Sequence, residues 1–167
     1  MNVLAIGCHP DDVEIACAGT LAKYAQRGDK VIVCHASTGN LGHEIIPPDE
    51  LTLIRAAEAR KAGGLAGIEV ICAGFNDLEI YDNNRAARDA IVDVIKYAHP
   101  DVIITHNPDD YMPDHTAVSL MPVLLRRCQI TISQILSSAQ IVLSLQNWFQ
   151  YTIWTPSPGS TSCRQSL

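Results

Sequence analysis

Acidic residues are missing from the C-terminal part of this chain. All 18 Asp and Glu lie before His115, and from His115 to Leu167 the only Lys or Arg are Arg126, Arg127 and Arg164. Cys128 to Cys163 carries no charge at all. Basic clusters are missing throughout. With a net charge of −6 and a pI near 5.4, nucleic acid is excluded as an expected partner. No uninterrupted apolar run reaches the roughly 18 residues of a membrane span, and Gln129, Gln134, Gln140, Gln146 and Asn147 break up even the uncharged tail. No basic segment followed by an apolar stretch and a cleavage site opens the chain, so no signal peptide is expected. None of the six cysteines (8, 17, 34, 72, 128, 163) forms a Cys-x-x-Cys pair. Cys8, Cys34 and Cys72 sit in or beside apolar strand-like runs, so buried free thiols in a reducing cytoplasm are the simplest account. There is no internal repeat.

What is present is a chain of 167 residues, 47% of them hydrophobic, enough for one soluble domain with a real core. Short apolar runs alternate with amphipathic stretches. Val3 to Gly7, Lys30 to Ser37, Glu69 to Ala73 and Asp101 to Thr105 read as strands. Val13 to Arg27, a stretch from a cap at Asp49 to about Ala66, a stretch after a cap at Asn83 or Asn84, and His115 to about Arg127 read as helices. Pro122 weakens the last of these. Such alternation implies parallel strands with crossover helices. Right-handed crossovers then favour an α/β, Rossmann-like three-layer sandwich with a mainly parallel sheet ordered 3-2-1-4. Residues 1–127 are expected to form this domain. Residues 128–167 form an atypical uncharged tail, left open as an incomplete part of the same domain. Within it, Ile130 to Leu136 and Ile141 to Leu145 are β-prone and an aggregation hazard if unpaired.

The chain is organised around Cys8-His9-Pro10-Asp11-Asp12-Val13-Glu14, which follows the first strand and opens the first helix. Helix capping accounts for one acidic residue here. It does not account for a His-Pro placed just before two carboxylates, and His and Asp are good ligands for a divalent metal such as zinc. In the order 3-2-1-4, strands one and four are neighbours, and a ligand crevice opens between their C-terminal ends. The loop after strand one holds His9, Asp11 and Asp12; the loop after strand four holds His106, Asp109, Asp110, Asp114 and His115. Two clusters distant in sequence therefore meet at one crevice. A dinucleotide site would need a Gly-x-Gly-x-x-Gly turn after strand one. The two carboxylates in that turn would instead repel a phosphate.

His9-Pro10-Asp11-Asp12-x-Glu14, followed about a hundred residues later by Pro113-Asp114-His115, resembles the LmbE-like (PIG-L) family of zinc-dependent N-deacetylases, over roughly residues 1 to 122. The resemblance implies an N-acetylglucosamine-type conjugate or related amide as substrate. It makes His9, Asp12 and His115 the zinc ligands and Asp11 the general base, with iron as the alternative metal. Two His and one Asp would leave a fourth coordination position open, as catalytic zinc requires. Arg55 resembles a substrate-site arginine and equally suits a pair with Glu58. Asp77 resembles a residue that meets sugar hydroxyls, a plain loop acid being nearly as good a reading. Asp114 is expected either to orient His115 or to cap the following helix. Glu14 is read as helix N-terminal charge or support, His35 and His43 as ordinary strand or loop residues, and His99 as a helix C-terminal cation. A homo-oligomer is left open.

The chain departs from the family in two places. Three residues before His115, where the family commonly carries a His that steadies the oxyanion, this chain has Met112, which cannot donate a hydrogen bond. His106, in the same loop, is a candidate either to substitute for it or to support the site from behind. The uncharged tail, moreover, does not align with the family's usual continuation. A metal-binding member impaired in catalysis is therefore the alternative function.

Overall fold

The structure is a computed structural model, which describes residues 1–127 and 140–143. In chain order the elements are β1 (Asn2–Gly7), α1 (Asp12–Gln26), β2 (Lys30–Ser37), α2 (Pro48–Ala66), β3 (Glu69–Phe75), α3 (Arg85–Ala98), β4 (Val102–Thr105), α4 (Pro113–Arg127) and β5 (Gln140–Leu143). The strands form one sheet in the order β3-β2-β1-β4-β5, and every neighbouring pair is parallel. The expected order 3-2-1-4 is present, and β5 extends it at the β4 edge.

Alternation along the central strands builds a core on each face of the sheet. Leu4, Ile6, Ile32 and Ile103 pack against Ile91 and Ile95 of α3 and Val118 and Met121 of α4. Val3, Ala5, Val31, Val33 and Ile104 pack against Val13, Cys17 and Leu21 of α1. β1 is central, so both of its faces are covered and Val3 to Gly7 are all buried. Its last residue sets how closely strand and helix approach. A Cβ on Gly7 would lie 2.7 Å from Val13 Cγ2 and 3.2 Å from Asp12 Cβ.

The ends of the elements correct several expectations. Asp49 does not cap α2. The helix starts at Pro48 with Pro47 in the cap position and no side-chain cap bond; a proline whose fixed φ suits the first turn replaces the cap. Asn84, rather than Asn83, caps α3, its side-chain oxygen accepting from Ala86 N at 2.9 Å and Ala87 N at 3.4 Å. α4 begins at Pro113 instead of His115 and continues past Pro122. β3 runs on to Phe75, and β2 and β3 shift register between His35 and Ser37. Ile141 to Leu143 pair with Ile103 to Thr105 of β4, while Ile130 to Leu136 lies outside the described residues. Among the described residues no helix is long and apolar enough to cross a membrane.

Candidate metal centre

β1 and β4 end side by side, with Ile6 opposite Thr105, so the turn that follows β1 meets the loop that follows β4. The first turn is tight: the amides of Asp11 and Asp12 both reach back to the His9 carbonyl, at 2.9 and 3.3 Å. Asp11 occupies the cap position of α1 but makes no side-chain cap bond. Capping therefore does not explain this carboxylate, whose side chain is 53% exposed. Asp12 turns inward instead, and its Oδ2 accepts from His9 N at 2.7 Å.

Three side chains converge here. His115 Nε2 lies 3.2 Å from His9 Nδ1. His9 Nδ1 lies 3.4 Å from Asp12 Oδ2, and His115 Nε2 lies 3.5 Å from Asp12 Oδ1. Donors about 2.0–2.1 Å from a tetrahedral zinc stand roughly 3.3 Å from one another. The spacing of these three donor atoms thus fits such an ion, and all lie within 4.8 Å of one another.

Each imidazole has a carboxylate on its far side. His9 Nε2 is 3.4 Å from Asp114 Oδ2, and His115 Nδ1 is 3.2 Å from Asp110 Oδ2. Neither contact is aligned as a full hydrogen bond, yet each leaves the opposite nitrogen facing the centre. A carboxylate behind a ligating imidazole fixes ring orientation and raises its basicity. Asp114 thus lies beside His9, and the carboxylate beside His115 is that of Asp110. Asp114 Oδ2 also accepts from Leu78 N at 2.7 Å, tying the loop after β3 to the start of α4.

Burial and neighbouring charge set the protonation of the three. Burial would raise the Asp12 carboxyl, but the adjacent His106 and His9 outweigh it and hold the group far below the usual carboxylate range. Burial lowers the His115 imidazole, and the stacked His106 ring adds to that. Burial also pulls His9 down, yet the Asp12 hydrogen bond and the nearby charges of Asp77 and Asp114 leave it raised. Asp12 is thus ionised and His115 inclined to be neutral, the forms in which both bind metal.

With this geometry in view, the likeness to known proteins has a structural meaning. The family model described as PIG-L: GlcNAc-PI de-N-acetylase matches residues 4–123, a span that includes both loops. The chain belongs to the PIG-L family. An Escherichia coli protein, described as the uncharacterized deacetylase YaiS, is 34% identical over 141 residues, covering 81% of this chain and 71% of its own length. The 1D-myo-inositol 2-acetamido-2-deoxy-alpha-D-glucopyranoside deacetylase 1 of Frankia casuarinae is 28% identical, covering 68% of this chain and 47% of its own. Among solved structures, the N,N'-diacetylchitobiose deacetylase of Pyrococcus horikoshii superposes with a TM-score of 0.72 at 25% identity, covering 84% of this chain and 59% of that one. The chain thus spans only about half to two thirds of the length of several PIG-L proteins it resembles.

The other residues expected at this PIG-L centre are placed as follows. The Arg55 guanidinium bonds the Pro10 carbonyl and Asp11 Oδ2, the latter at 3.0 Å, and reaches Glu58 Oε2 at 2.9 Å. It therefore lies against the turn and also makes the intrahelical pair. Asp77 is buried, and its two oxygens accept from Gly39 N and Leu41 N, each at 3.0 Å. Its contacts are those of a residue that ties the β2–α2 loop to the β3–α3 loop. Gly39 needs its φ of +74°, and a Cβ there would meet Pro10 Cδ at 3.0 Å, so the tethered loop braces the turn. His106 is buried behind the three converging side chains, with Cys8 N donating to its Nε2 at 2.9 Å and its ring stacked on His115 at 4.0 Å. Met112 is half-buried and precedes the first residue of α4. Asp110 belonged to the expected His/Asp cluster but had no role of its own in the sequence. The available signal was a carboxylate five positions before a candidate ligand in the same loop.

Proposed function

We propose that this chain is a metal-dependent N-deacetylase that hydrolyses the acetamide of an N-acetylglucosamine-type conjugate to acetate and a free amine, with zinc as the metal and iron as the alternative. The observation that carries this reading is the triangle of His9 Nδ1, His115 Nε2 and Asp12 at 3.2–3.5 Å, each imidazole having a carboxylate on its other nitrogen. His9, Asp12 and His115 would hold the ion. Zinc in that position would supply Lewis acidity, activating water and polarising the acetamide carbonyl.

The remaining work falls to the chain's own groups. An Asp11 carboxylate oxygen, adjacent in sequence to a ligand and free of any capping bond, accepts the proton of the attacking water and returns it to the departing amine. Arg55 holds that carboxylate from the side and so limits the rotamers it samples. Asp114 and Asp110 keep the inner nitrogens of His9 and His115 aimed at the ion. His106 has a packing role in preference to that of an oxyanion donor, since its Nε2 already takes the Cys8 amide and its ring stacks on His115. Asp77, with both oxygens on loop amides, shapes the substrate side of the cleft in place of binding sugar hydroxyls.

A second reading, a metal-binding PIG-L protein with impaired turnover, rests on Met112. A thioether cannot donate to the developing oxyanion, and losing one such donor elsewhere lowers rate about a hundred- to a thousandfold. The test is acetate release from N-acetylglucosamine, its glycosides and N,N'-diacetylchitobiose by zinc-loaded protein. Release that disappears on chelation and returns with zinc supports the first reading. Stoichiometric zinc without release supports the second.

A further inference from the structure

The last residues of β2 grip the metal-binding turn at both ends. At one end, Ser37 N and Ser37 Oγ reach the Cys8 carbonyl at 2.8 and 3.1 Å. At the other, His35 Nε2 lies 3.2 Å from both carboxylate oxygens of Glu14. Cys8 and Glu14 bracket His9 to Val13, the segment that carries two of the three candidate ligands and the candidate base.

His35 is 1% exposed and sits opposite Gly7 in the β1–β2 register. It shares a sheet face with Val31 and Val33, which pack on α1. An apolar residue would continue that face, whereas a buried imidazole requires a partner for its N–H. Replacing a buried polar group and its partner by apolar residues is often neutral or stabilising, so stability alone does not account for a buried imidazole here. The packing beside α1 is incomplete. A cavity of about 70 Å³ lies between α1, α2 and the sheet, bordered by Val13, Glu14, Val33, Gly63 and Val70. Asp11, in the cap position, makes no side-chain bond to the helix start.

We propose that His35 and Glu14 are positioning residues for the metal centre: the pair locks the first turn of α1 onto the end of β2 and so fixes where Asp12 is aimed. This rests on the metal-site reading of His9, Asp12 and His115.

The experiment is the zinc dissociation constant of the full chain, by competition with a chromophoric chelator, measured well below each variant's thermal unfolding midpoint. His35→Leu removes the donor at similar volume, His35→Gln keeps an N–H, and Glu14→Ala changes a half-exposed helix residue outside the core. His35→Leu and Glu14→Ala are expected to weaken zinc binding about 10- to 100-fold, the usual loss for a supporting contact. His35→Gln should recover most of that loss, and the double variant should be no weaker than either single one. The His35→Leu unfolding midpoint should not fall in parallel. Wild-type zinc affinity in Glu14→Ala, equal weakening in His35→Leu and His35→Gln, or additive losses in the double variant would each overturn the proposal while leaving the metal site standing. A wild-type chain that binds no zinc overturns the metal-site reading and this proposal together.

Discussion

At the scale of single residues, two adjacent aspartates differ because one turn aims them differently. Asp12 points inward, accepts from His9 N and lies 3.2 Å from His106 Nε2; Asp11 points outward, where its carboxylate meets Arg55 among the described residues. Asp11→Asn keeps shape and the Arg55 contact but cannot take a proton. It should therefore abolish acetate release while zinc content stays at the wild-type level; a variant that loses its zinc would reverse the two assignments. Met112→His places a donor where the thioether offers none. In a chain with measurable turnover it should raise kcat more than it lowers KM, by up to about 2 kcal/mol of transition-state stabilisation. An unchanged kcat with zinc retained would count against that role for position 112. The paired motifs singled out His9, Asp12 and His115, and the fold brings these three side chains together. Their partners were less legible. Asp109, Asp110 and Asp114 share one loop with His106 and His115, and spacing alone cannot assign a carboxylate to a ring. His35 and Glu14 are 21 positions apart, and strand alternation makes His35 look like one more buried strand residue.

At the scale of elements, the strand–helix alternation was readable because each apolar run is bounded by turn residues and each helix has a polar face. The ends were harder, since prolines at Pro48 and Pro113 open helices where a capping side chain was sought. β5 was not recognised as a partner of β4 because the surrounding uncharged stretch offers no periodic break. One close approach sets the seam between α2 and β3: a Cβ on Gly63 would lie 2.4 Å from Val70 Cγ2 and 2.7 Å from the Ile68 carbonyl oxygen. The second neighbour is backbone and cannot rotate away. Gly63→Ala should therefore cost about 1–3 kcal/mol despite alanine's better helix propensity, read as a lower urea midpoint. A midpoint at or above wild type would show that this seam yields more readily than its packing implies.

At the scale of the whole molecule, a parallel sheet covered on both faces brings two loops together at its C-terminal edge, and everything proposed for function sits there. The same burial makes the inner thiols inert. Burial pushes Cys17 and Cys34 up to about 12, while Cys72, although partial burial raises its thiol too, is exposed to reagent on the edge strand. Iodoacetamide at pH 8 should label Cys72 in native protein well before Cys8, Cys17 or Cys34, as read by peptide mass mapping; equal labelling of these four would mean that the sheet opens readily. The central claim is that three side chains from the two loops hold one metal ion. It is tested most directly by the zinc content of wild type, His9→Ala, Asp12→Ala and His115→Ala, each loaded with zinc and desalted in parallel. The account predicts about one zinc per wild-type chain and none in any of the three variants, because three protein ligands leave no redundancy. Wild-type zinc content in any one of those variants, or a wild-type chain that emerges without zinc, would contradict it.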